Sequence, residues 1–172
     1  GFMCTTNKLM RKMPGRIVGQ AKDASGRTGY VLTLQAREQH IRRAQAMSNI
    51  CSNENLCALC ALSYMTLMGK QGLVEVAELC MSKARYALDV LSSIRGVRRV
   101  GSQPFFNEFV VELPVDAAEA SGRMVEKGYA AGFPLGRYYS QRQNQLLVSV
   151  TEKRTREEIN GFANSLEAVL WN

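Results

Sequence analysis

The spacing of apolar side chains changes several times along the chain, and each change marks an element. Gly1 to Thr5 reads as a short strand, and Asn7 to Met13 as a helical turn that Pro14 stops, because proline has no N–H to continue the ladder. Strands are predicted over Arg16 to Lys22 and Gly29 to Leu34, and Ser25-Gly26 between them is the turn signal of a β-hairpin. The run Gln35 to Cys51 then loses its apolar content and carries the only His with Arg37, Glu38, Arg42 and Arg43. Side chains this polar cannot form a core, so the run is expected either to be solvated or to meet a phosphate, a carboxylate or another subunit.

The period then becomes helical. Ser52 or Asn53 is placed to cap a helix in which Leu56, Cys57, Leu59, Cys60, Tyr64, Leu67 and Met68 cover too wide an arc for one exposed face, so this helix is expected to be largely buried. Gly69-Lys70-Gln71-Gly72 is expected to break it. A longer helix, Leu73 to Ile94, carries Val76, Cys80, Ala84, Ala87, Leu88 and Leu91 at steps of three and four, and Gly96 ends it.

Beyond Gly96 the period drops to two. Phe105 to Leu113 alternates as a strand closed by Pro114, Asp116 to Glu119 opens a helix running to about Lys127, and Leu146 to Val150 is another strand. Thr155 to Glu158 opens the last helix, with Ile159, Phe162, Ala163, Leu166 and Val169 on one face. The order helix, strand, helix, strand, helix predicts a compact α/β unit.

Composition narrows this picture only slightly. A length of 172 residues suits one domain, or one domain with a piece of another, and the opening Gly1-Phe2-Met3-Cys4 reads as the interior of a longer protein. No apolar run approaches the roughly 20 residues of a membrane span. The net charge of +7 raises nucleic acid as a partner, but the 15 Arg and 7 Lys are spread along the chain in runs of at most two, without interleaved aromatics. Cys57, Cys60 and Cys80, among five Cys in all, sit between apolar residues at helical spacing, which predicts reduced, buried thiols in a cytoplasmic protein.

The candidate chemistry is sparse. Lys70 lies in a Gly-flanked break, whereas an imine-forming Lys needs a fixed, partly desolvated place. Cys57-Ala-Leu-Cys60 lacks two further metal ligands, and core packing is the better reading. Cys51, at the start of a helix, is the thiol best placed for reactivity, and His40 has no partner for a triad or a zinc site. Ser48 and Asn49 precede a helix whose free N–H groups could meet a phosphate, with Arg42 and Arg43 adding charge, or they merely cap it. The residues supply no complete catalytic set and no metal site.

Five separated motifs, Met13-Pro-Gly-Arg-Ile-Val-Gly19, Leu32 to Arg43, Ser48-Asn-Ile-Cys51, Pro104 to Val111 and Pro134-Leu-Gly-Arg-Tyr-Tyr139, together resemble subunit 1 of glycine dehydrogenase (decarboxylating), the P-protein of the glycine cleavage system. The resemblance runs in order over essentially the whole chain. It implies an α/β fold-type-I PLP-dependent transferase (aminotransferase-like) subunit, with residues 1–70 the C-terminal end of the large domain and 71–172 a connecting helix and the small C-terminal domain. It also implies a PLP enzyme that decarboxylates glycine and passes the aminomethyl group to the lipoyl arm of H-protein. The Schiff-base Lys is expected on subunit 2, and this chain is expected to be a non-catalytic paralogue supporting the partner's site. Arg42, Arg43, Ser48 and Asn49 would reach the cofactor phosphate. The family usually has Lys and two Thr where this chain has Gln45, Met47 and Ser52, which removes one charge and one hydroxyl. Arg137 would bind the substrate carboxylate or brace its own turn. The alternative is a stand-alone basic α/β interaction or nucleic-acid-binding module.

Overall fold

A computed structural model describes residues 3–15, 17–48 and 54–171 of the chain, which divides into two compact units, Gly1–Leu67 and Met68–Asn172.

In the first unit a 3-10 turn, Asn7–Lys12, precedes an antiparallel hairpin of β1 (Ile17–Lys22) and β2 (Thr28–Thr33), in register from Ile17↔Thr33 to Lys22↔Thr28. Asp23 makes the turn: its Oδ1 accepts from the N–H of Ser25 (2.8 Å) and of Arg27 (2.9 Å), and its Oδ2 from Arg27 Nε (2.8 Å). Gly26, at φ 77, supplies the left-handed residue that such a turn requires. Met3, Cys4 and Thr5 belong to no strand, against expectation, and Gly1 and Phe2 lie outside the described residues. The polar run folds as the 3-10 turn Gln35–Arg37, the single-turn helix α1 (Gln39–Arg42) and the 3-10 turn Arg43–Gln45.

The helical run α2 spans Asn55–Ser92, and Gly69 (φ 63, ψ −179) is its one non-helical residue. The expected break is therefore a single residue, with helix resuming at Lys70. The expectation that the part before the break is buried fails: Leu56, Leu59, Leu62 and Leu67 are 73%, 58%, 59% and 85% exposed. Cys57 and Cys60 are exposed free thiols, so their expected burial is corrected too, while Cys80 is buried as expected. The physical reason is local. Glu38 is the only buried residue among those described in Gly1–Leu67, so this apolar arc meets no core there.

The second unit holds the core. Four strands, β3 (Arg98–Val100), β4 (Glu108–Glu112), β5 (Phe133–Pro134) and β6 (Gln145–Ser149), form an antiparallel sheet in the order β3-β4-β6-β5. Phe109 and Val111 on β4 and Leu146 and Val148 on β6 point to one face. There they share a cluster with Ala84, Leu88 and Leu91 of α2, Ala120 and Met124 of α3 (Ala117–Glu126), and Ile159, Ala163 and Leu166 of α4 (Arg156–Trp171). Each fully buried Leu here contributes about 1.5–3 kcal/mol over an exposed one.

Both helix starts read from sequence are present as hydrogen bonds. Asp116 Oδ1 accepts from the N–H of Ala118 (2.8 Å) and Glu119 (3.0 Å). Thr155 and Glu158 form a reciprocal capping box, Glu158 N–H to Thr155 Oγ1 (3.1 Å) and Thr155 N–H to Glu158 Oε2 (2.8 Å). Gly132 (φ 144) immediately precedes β5, where a Cβ would lie 2.4 Å from the Leu147 carbonyl oxygen, so only glycine fits.

Candidate functional site

The polar run is held by a side chain that sequence reasoning passed over. Arg37 donates through Nη2 to the Gly15 carbonyl (2.9 Å), through Nη1 to the carbonyls of Arg11 (3.2 Å) and Met13, and through Nε to the Leu34 carbonyl (3.3 Å). The planar fork of a guanidinium suits this gathering of loop carbonyls, and a lysine could not reproduce it. Leu34, at φ 56, turns the chain from β2 into the run. Glu38, 5% exposed, lies beside Arg37 with Oε1 3.8 Å from Nε, so the buried carboxylate faces a cation. The signal was the adjacent Arg-Glu pair in a run otherwise read as solvated.

With Arg37 engaged, the two following arginines are presented outward. Arg42 is exposed and donates Nε to the Ala36 carbonyl at 3.2 Å, its one side-chain hydrogen bond among the described residues. Arg43 is exposed at φ 51, ψ −120, a conformation that non-glycine residues adopt at a cost of order 1–3 kcal/mol. Ser48 is half-buried. Asn49, Cys51, and the caps expected at Ser52 and Asn53 lie outside the described residues. His40 is exposed. The first unit thus presents Arg42 and Arg43 from one short segment, an arrangement suited to meeting a phosphate with charge-assisted hydrogen bonds.

Arg137 belongs to the second unit, in the 3-10 turn Leu135–Arg137, and is exposed. The turn is braced without it: Leu135 is buried, Tyr138 stacks on Phe133 with ring centroids 5.7 Å apart, and Arg142 lies 5.3 Å over Tyr139. Position 136 must be glycine, since a Cβ would come within 2.9 Å of Gln143 Cα. The Arg137 guanidinium is left available to a carboxylate.

No lysine is placed for imine chemistry. Six of the seven are exposed, Lys70 included, and the half-buried Lys83 donates its Nζ to the Glu152 carbonyl. Among the described residues no group of three or more His, Cys, Asp or Glu could hold a metal ion, and no helix is long and apolar enough to cross a membrane. Arg42 and Arg43 fit a contact to the phosphate of a cofactor.

The architecture has a close counterpart among solved structures. A crystal structure of glycine decarboxylase (P-protein) of the glycine cleavage system, in inhibitor-bound form, superposes with a TM-score of 0.83 at 38% identity, over 95% of this chain and 37% of that one. The fold is thus the α/β, fold-type-I transferase class that the sequence led us to expect. The family model for Glycine cleavage system P-protein matches residues 1–166, and the chain belongs to that family. Probable glycine dehydrogenase (decarboxylating) subunit 1 of Geotalea uraniireducens is 55% identical over 99% of the chain, and its counterpart in Moorella thermoacetica 53% identical over the same share. The chain spans 38% of the length of each of these relatives. Nothing in these likenesses favours a stand-alone basic module.

Proposed function

We propose that the chain works as part of subunit 1 of a glycine-decarboxylating P-protein, as a non-catalytic element that completes a PLP site anchored on subunit 2. The observation that carries this reading is 55% identity over 99% of the chain to a protein named as that subunit. In this reading residues 1–70 are the end of the large domain and 71–172 the connecting helix and small domain. The exposed leucines of α2 before Gly69 agree with that assignment, since apolar surface of this extent marks an interface.

Bound on the partner, PLP supplies the electron sink for losing CO2 from glycine. This chain's own contribution is electrostatic and geometric. Arg42 and Arg43, together with Ser48 and Asn49, hold the cofactor phosphate from the subunit 1 side. Arg137 orients the glycine carboxylate by a bidentate contact. The aminomethyl group then passes to the lipoyl arm of H-protein, and the complex works in the cytoplasm.

The test is a chimera. The matching segment of the Geotalea uraniireducens subunit 1 is replaced by this chain and assembled with that organism's subunit 2, PLP, H-protein and labelled glycine. Release of labelled CO2 is expected, while the 172-residue chain alone releases none. Substituting Arg42→Ala with Arg43→Ala should raise the PLP concentration needed for half activity by roughly tenfold, and Arg137→Ala should raise KM for glycine. A chimera that assembles and stays inactive, or an isolated chain that decarboxylates glycine, overturns the reading.

A further inference from the structure

We propose that the cleft at the open edge of β6 binds a small organic monoanion with an apolar body, such as an aromatic carboxylate. The cleft is independent of the site described above, none of whose residues line it. Its volume is about 540 Å³, within the range of roughly 300–1,000 Å³ typical of small-molecule sites, and its lining comes entirely from the second unit.

The floor is apolar, made by the buried Ala87 and Ile159. One wall is the edge-on ring pair Tyr129 and Phe162, with centroids 5.7 Å apart. Tyr129 can lie against α4 because residue 161 is glycine, since a Cβ there would come within 2.7 Å of the phenol oxygen. A floor and wall of this kind take a flat apolar body.

The polar side of the cleft favours an anion. Lys127 is exposed at the rim, and its ammonium makes no ion pair among the described residues. Arg154 pairs with Glu158 only at 3.5 Å, through Nη1 and Oε1, and the other carboxylate oxygen already accepts the Thr155 N–H. Two cations face one carboxylate, leaving a single positive charge. The sheet edge adds a backbone donor. Val150 N–H is spent on the Asn107 carbonyl (2.9 Å), on the β4 side, so by strand alternation the Ser149 N–H points the other way. On that side β5 pairs only with Leu146 and Leu147 and stops short of Ser149. The Ser149 amide therefore faces the cleft with no strand partner, beside Lys127 and Arg154. A carboxylate there would satisfy the amide and the net charge together.

The test is a two-dimensional ¹⁵N–¹H NMR titration of the 172-residue chain with sodium benzoate. Saturable shifts are expected at the amides of Ala130, Ser149 and Val150, with none at the hairpin β1–β2. Acetate, which lacks the apolar body, and benzyl alcohol, which lacks the charge, should each bind at least roughly tenfold more weakly. The Lys127→Gln, Arg154→Gln double variant, altered only at exposed side chains, should keep the unliganded spectrum elsewhere and lose roughly tenfold in benzoate affinity. Plugging the mouth with Ala130→Trp should abolish the shifts at Ser149. An absence of saturable shifts with benzoate, equal binding of benzyl alcohol, or undiminished binding by the double variant overturns the proposal.

Discussion

The contrast between Leu166 and Leu67 puts a number on where this chain is held together. Leu166, in α4, has no exposed surface and packs in the cluster with Leu91, Met124 and Leu146. Truncation to alanine removes its transfer free energy and leaves a cavity that close-packed neighbours fill only in part, at a cost of about 2–5 kcal/mol. Against a domain stability of about 5–15 kcal/mol this is a large fraction. Leu67, in α2, is instead 85% exposed, so Leu67→Ala should change stability by less than about 0.5 kcal/mol. Trp171, the only tryptophan, closes α4 with Arg95 lying 5.4 Å over its ring, and its fluorescence reports the unfolding of the second unit. With urea slopes of about 1–3 kcal/mol per molar, Leu166→Ala should lower the midpoint by roughly 1–3 M and Leu67→Ala should leave it in place. A shift below about 0.5 M for Leu166→Ala, or equal shifts for the two variants, would refute the placement of the core.

Four further outcomes are expected. Asp116→Ala leaves the N–H groups of Ala118 and Glu119 without their acceptor and should cost about 1 kcal/mol in the same urea experiment, with Asp116→Asn recovering most of it. Gly132→Ala should cost more than that cap, because its Cβ would meet the Leu147 carbonyl at 2.4 Å where φ is 144; amide exchange along β5 and β6 should accelerate. Hydrogen bonding from Arg98 holds the Glu112 carboxyl below its ordinary pKa, and the Cys80 thiol does the same for Glu152. The unfolded chain then takes up protons first, so this stability is complete above the ordinary carboxylate range and is lost as pH falls through that range to the depressed folded values; Glu112→Gln should flatten the fall measured by urea midpoints between pH ~6 and ~3. Arg37→Lys should release the carbonyls of Met13 and Gly15 and raise proteolytic cleavage between residues 11 and 16 while leaving the Trp171 unfolding midpoint unchanged.

The second unit was legible because its signals are local. Asp116 and Thr155 announce helix starts through bonds made within three residues, and steps of three and four at Cys80, Ala84, Ala87, Leu88 and Leu91 record a helix face that a sheet then covers. β3 and β5 escaped the reading because strands of three and two residues are too short to show a period of two, and their positions are fixed by pairing with β4 and β6. The periodicity of Leu56 to Met68 was read correctly as helix, and its burial was not, because periodicity reports which side chains share a face and not what lies opposite.

That distinction bears on the candidate site. In Gly1–Leu67 the described residues bury Glu38 alone, so the loop before β1 and the polar run are tied by the carbonyl bonds of Arg37 rather than by apolar packing. Such bonds fix geometry well but contribute only about 1.5–3 kcal/mol each even when charged, less where water competes. A segment so held keeps Arg42 and Arg43 at the surface by construction, because Arg37, the one arginine turned inward among its described residues, is spent on the backbone. The same economy leaves the leucines before Gly69 and the hairpin residues Val18, Tyr30 and Val31 uncovered. Exposed apolar side chains in this number are expected of a piece that acts by joining a larger body, and the leucines before Gly69 have a test of their own. Leu59→Ala with Leu62→Ala should leave the Trp171 midpoint of the chain unchanged and weaken assembly of the subunit 1 chimera with subunit 2, measured by sedimentation; assembly at undiminished affinity would separate that face from the proposed function.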